Sequence, residues 1–130
     1  MNDTRPVDRP VNLDLASIRF PITAIASIPH RVCAVIIWVG LGFLLYLVWT
    51  VTNSPDGYAM LAELFAGNFL VQFVSWGFLT ALGYYCMGGI KHLIQDAGYF
   101  EDFQGGSRIS WTAVVLGVVL SILSGVVIWA

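Results

Sequence analysis

Three stretches of the chain contain no Asp, Glu, Lys or Arg: Val32 to Pro55, Leu64 to Ile90, and Ile109 to Ala130. Each is longer than the roughly 20 residues that carry a helix across a hydrocarbon core. A spanning helix satisfies its own backbone hydrogen bonds, which lipid cannot do for it. The pattern therefore predicts an all-α membrane protein. Its three transmembrane helices lie near residues 31–52, 65–90 and 109–129, within one membrane-anchor domain covering 1–130.

A short interfacial segment precedes the first span. Residues 1–12, "MNDTRPVDRPVN", are polar, carry two prolines and read as extended. They do not read as a signal peptide, because acids stand among the arginines and no apolar run of the usual length comes before Pro21. Pro21 suits a helix start, where the missing N–H costs nothing. Pro29 then falls inside the helix and leaves the Ile25 carbonyl without its helical donor. The expectation is a helix that begins in the interfacial layer, bends near Pro29 and runs on as the first span. After it, "TNSPDGYAMLAE" opens with turn chemistry and reads as a connection.

Composition agrees with the membrane class. Of 130 residues, 58% are hydrophobic and 11% are charged, against roughly 25% charged in an ordinary soluble domain. The net charge of -2 and the lack of a basic stripe point away from nucleic acid. Arg5, Arg9, Arg19 and Arg31 precede the first span, the first connection has no Lys or Arg, and Lys91 and Arg108 flank the second. Short basic segments stay in the cytoplasm, so the N-terminus is expected inside and the C-terminus outside. Trp49, Trp111 and Trp129 lie near span ends, as interfacial indoles do. Cys33 and Cys86 make no disulfide framework and read as small buried apolar residues. No acid lies within a span to couple an ion, which argues against a transporter.

Ala113, Gly117, Ser121 and Gly125 recur every four residues and form one small-residue ridge on the third span. Such a ridge lets another helix approach closely, from this chain or from a neighbour. Gly83, Gly88 and Gly89 mark the second span. Gly88 and Gly89 share the face of Tyr85 and leave room for a flat ring, whereas Gly83 points away and suits helix packing.

Two sets of residues can carry chemistry. Ser27, His30 and Arg31 are spaced i, i+3, i+4 and share a helix face at the basic end of the first span. One reading is that Arg31 snorkels to the headgroups with His30 beside it. The other is a site for a ligand that is apolar in body and polar at one edge, such as a quinone. A hydroxyl there donates to a quinone carbonyl, and a fixed cation stabilises the charge that grows on reduction. Tyr85 and His92 are seven apart on a similar face of the second span. They read either as an ordinary helix end or as groups that ligate or flank a haem.

The segment "RPVNLDLASIRFPITAIASIPHRV" resembles the N-terminal signature of the cytochrome b subunit of succinate dehydrogenase (complex II): Arg9-Pro10, a spaced apolar series, then Ser27, His30 and Arg31. "YCMGGIKHLIQD", Tyr85 to Asp96, is similar to that family's second signature. The resemblance covers essentially the whole chain. It implies one of two small anchor subunits, working with an iron–sulfur subunit and a flavoprotein in a membrane. For a bacterium, that membrane is the inner (cytoplasmic) one. It also implies a ubiquinone site to which Ser27 and Arg31 contribute, and a haem b with His30, Arg31 and His92 on the propionate side.

The chain departs from the family at three of these positions. Tyr85 stands where the family's haem-ligating histidine stands, Lys91 replaces an arginine, and Cys33 replaces a serine or threonine. Neutral imidazole is a good iron ligand, whereas a phenol binds iron as phenolate. With no histidine at position 85, three alternatives follow: no haem, a haem b held by the partner anchor's ligand alone, or a haem b held by another residue of this chain. Two alternatives stand beside the succinate:ubiquinone anchor: a fumarate reductase anchor working with menaquinone, and a structural anchor without a redox role.

Overall fold

The computed structural model describes residues 17–130. Arg5, Arg9 and Pro10, and the extended segment expected over 1–12, lie outside the described residues. The described residues form four α-helices: α1 (Ile22–Asn53), α2 (Gly57–Gly67), α3 (Phe69–Asp96) and α4 (Phe103–Trp129). Three of them, α1, α3 and α4, are long and apolar enough to cross a membrane.

The charge-free stretches find the spans but not the helix ends. α1 begins at Ile22, before Arg31, as expected of a helix that starts in the interfacial layer. Pro21 is its N-cap and not its first turn, and the Pro21 carbonyl accepts from the Ala24 and Ile25 N–H groups at 3.0 and 3.1 Å. α1 is assigned as one helix through Pro29. At about 1.5 Å per residue it is longer than a roughly 30 Å hydrocarbon core requires.

The second span starts later than the expected residue 65. Residues 65–67 close α2, and the chain breaks at Asn68. The Asn68 side chain caps α3 by accepting from the Leu70 and Val71 N–H groups at 3.0 and 3.3 Å. α2 replaces the irregular connection expected there. Its "YAMLAEL" run is made of good helix formers, which outweigh the turn residues before them. α3 continues to Asp96, past the first charged residues. α4 starts at Phe103 behind an Asp102 cap whose carboxylate accepts from the Gly105 N–H at 3.0 Å.

α3 and α4 make the most extensive pair, and α1 lies against both. The interior is small. Among the described residues the buried apolar side chains are Ala26, Ala81 and Ala113, joined by Ser110 at 0% exposure. Gly88, Gly105, Gly106 and Gly117 are buried with them. The ridge of α4 packs inside this chain, against α3. A Cβ at Gly117 would press on the Tyr84 ring, and one at Gly125 would touch Trp76. Gly83 meets Leu120, in keeping with a packing role.

Polar bonds cross the same seam. Trp76 Nε1 donates to the Ser121 carbonyl at 3.0 Å, and the Thr80 and Ser121 hydroxyls are 2.9 Å apart. At the far end Trp129 Nε1 donates to Gln72 Oε1 at 3.1 Å. The outside carries Val, Leu, Ile and Phe in quantity, the surface expected of a protein solvated by lipid.

Candidate functional site

α1 presents Ser27, His30 and Arg31 over little more than one turn. Ser27 and His30 are half-buried and Arg31 is exposed. His30 turns towards α3, where its ring lies parallel to Tyr85 with centroids 4.6 Å apart and planes 4° from parallel. His92 packs against the same imidazole, tilted by 57° at 5.3 Å. Tyr85 and His92 therefore do share a face, and His30 fills the space between their levels.

Gly88 makes this possible. A Cβ there would collide with the His30 ring, meeting Cγ at 2.9 Å and Nε2 at 3.2 Å. The flat ring that the glycines were expected to admit is, at Gly88, this chain's own imidazole. Gly89 faces open space. His30 Nε2 is buried without a hydrogen-bond partner, and such an orphan costs about 1–3 kcal/mol.

The other two members of the trio are uncommitted. Ser75, Ser110 and Ser124 each return the hydroxyl to the carbonyl four residues back. The Ser27 hydroxyl has no such bond among the described residues, and Arg31 has no ion pair there. The charged and titratable groups around His92 are Lys91, His30, Asp96 and Arg31, so this end of the bundle is mainly cationic. Lys91 is only 6% exposed, a burial that the sequence did not signal. Of the cysteines, Cys33 is half-buried and Cys86 is exposed, so Cys86 is not the core residue it was expected to be.

Tyr84 escaped the sequence reading. Its hydroxyl donates to the Ala26 carbonyl at 2.9 Å, fixing α1 to α3 beside the stack. The contact joins residues 58 positions apart, and no local spacing announces it.

These features define a multi-pass helical membrane protein with little mass outside its spans and a polar, aromatic cluster at one end of the bundle. The sequence pattern of a known family, the succinate dehydrogenase/fumarate reductase transmembrane subunit, matches residues 5–124. The chain belongs to that family. It is 33% identical over 121 residues to the succinate dehydrogenase cytochrome b556 subunit of Coxiella burnetii, covering 93% of this chain and 97% of the relative. It is 28% identical over 127 residues to the subunit of the same name from Paracoccus denitrificans, covering 98% and 97%. The succinate dehydrogenase cytochrome b560 subunit of Reclinomonas americana is 22% identical over 125 residues, covering 93% and 87%.

The cytochrome b in these names raises the question of a haem. Such a group asks two things of a chain: cations for its propionates and a donor for its iron. Of the residues expected to serve the first, Arg31 is exposed at that end of the bundle, whereas His30 Nε2 is enclosed without a partner. The second does not fit. Position 85 offers a phenol stacked on a neighbouring imidazole, where the family's ligand is a histidine.

Proposed function

We propose that the chain is a membrane anchor of a succinate:ubiquinone oxidoreductase and lends Ser27 and Arg31 to the quinone-reduction site. The observation that carries this reading is the pair of uncommitted polar groups, one turn apart on α1. The Ser27 hydroxyl is free to donate to a quinone carbonyl. The Arg31 guanidinium, exposed at the same end, stabilises negative charge on the ring as electrons arrive.

The cationic end also orients the assembly. With Arg19, Arg31, Lys91 and Arg108 on one side, the N-terminus is cytoplasmic and the iron–sulfur subunit docks there, carrying electrons from the flavoprotein. The setting is the bacterial inner membrane. A second three-helix anchor and lipid cover the apolar outside. The same site serves quinol oxidation when the electron supply reverses.

The test separates the two ends of the electron path. In the purified complex, Ser27→Ala and Arg31→Leu are each expected to slow quinone reduction by about 1–3 kcal/mol, the cost of removing one partner from a polar pair that the bound quinone and its neighbours bury. Succinate oxidation by a soluble dye that accepts upstream stays at the parental rate. Normal quinone reduction in both variants would place the site elsewhere.

A further inference from the structure

We infer that this chain supplies no axial ligand to a haem iron, and that Tyr85 is a packing residue that closes the His30 imidazole against α3. The inference is independent of the quinone assignment. Its candidate ligands, His30, Tyr85, Cys86 and His92, are other residues, and its failure leaves the roles proposed for Ser27 and Arg31 standing.

The chain has two histidines, and neither is placed as a ligand. His30 Nε2 is enclosed against Gly88, where even a methyl group has no room, so no iron reaches it. One face of the same ring is covered by Tyr85. His92 lies near the end of α3, packed on His30 and set among Lys91, Arg31 and Asp96, where the fixed cations outnumber the acid. Those neighbours favour a carboxylate over a metal cation. Cys86 is one step from Tyr85 and about 100° further round the helix, so it points away from the cluster.

Tyr85 itself is engaged. A stack 4° from parallel commits the flat of the phenol to His30, and the residue remains 38% exposed at its outer side. As a ligand it would have to act as phenolate, which suits ferric iron and not a carrier that cycles through the ferrous state. As a packing group it shields an imidazole whose buried nitrogen has no partner. The chain thus offers a haem its cationic edge and no donor. The iron of a haem beside it takes its protein ligand from elsewhere in the assembly.

The experiment uses the intact detergent-purified complex. Pigment extraction, optical spectra and electron paramagnetic resonance are recorded for the parent and for Tyr85→Phe, which keeps the stack and removes the oxygen. The expected result is either no extractable haem or a high-spin haem whose signals are the same in both proteins. A low-spin bis-imidazole haem in the parent would overturn the inference by making His92 a ligand. A high-spin signal that changes in Tyr85→Phe would overturn it by making Tyr85 one. Thermal unfolding tests the packing half: Tyr85→Phe matches the parent, and Tyr85→Ala unfolds several degrees lower. Equal midpoints for Tyr85→Ala and the parent would deny Tyr85 its packing role.

Discussion

The Tyr84 hydroxyl reaches across from α3 to the Ala26 carbonyl of α1, 2.9 Å away, three residues before Pro29. A proline inside a helix removes a hydrogen bond and loosens the turn before it. Tyr84 supplies a donor from outside at that turn, just ahead of His30. Tyr84→Phe keeps the ring and deletes the donor. The variant complex is expected to lose about 0.5–1.5 kcal/mol of stability, the net worth of an ordinary hydrogen bond. Its thermal midpoint in detergent, compared with that of the parent, checks this.

Gly88 sets the place of His30, so its substitution tests whether the cluster positions the proposed quinone residues. In Gly88→Ala the new methyl group meets the imidazole, which must leave its slot and disturb the Ser27–Arg31 turn. Quinone reduction is expected to fall roughly tenfold, equivalent to about 1.4 kcal/mol. Dye-linked succinate oxidation stays unchanged. Parental quinone kinetics would show that His30 moves without consequence for its neighbours.

Gly117 lies under the Tyr84 ring, which couples the α4 ridge to the same joint. Gly117→Leu forces a side chain where a Cβ alone would lie 2.5 Å from Tyr84 Cδ2. Overpacking of this kind costs about 1–3 kcal/mol. The expected outcome is a lower yield of assembled complex and a depressed thermal midpoint. The partner of the ridge is α3 of this chain, so the defect begins inside the subunit.

Thr80 and Ser121 pair their hydroxyls within the spans at 2.9 Å. Side-chain hydrogen bonds between membrane helices average only about 0.6 kcal/mol in double-mutant cycles. A cycle of Thr80→Val and Ser121→Ala is expected to return a coupling of that size. A coupling near zero would assign the seam's stability to Trp76 and to close backbone packing.

What could be read in the sequence follows from the range of each interaction. The three spans were visible because hydropathy is a local sum over some twenty residues. Helix ends were not, since charge marks where lipid stops while Asn68 and Asp102 mark where helices start. α2 was hidden by the "NSPDG" turn ahead of it, although its own residues favour helix. In the site, the common face of Ser27, His30 and Arg31 came from spacing alone. The Tyr85 stack, the Gly88 slot and the Tyr84 bond came from α1 meeting α3, and no spacing within either helix encodes that meeting.

An interior made mainly of alanine and glycine beneath an exterior of leucine, valine and phenylalanine reverses the usual map of mutational tolerance. In a water-soluble domain, trimming large side chains at the centre does the harm. Here the centre has little to trim, and harm comes from added bulk: a single methyl at position 88 or 117 is expected to matter more than truncation of the exposed Val39 or Val127. A saturation scan of this chain would then rank positions by how little volume they can gain. The intolerant ones would trace the lines along which α1, α3 and α4 touch.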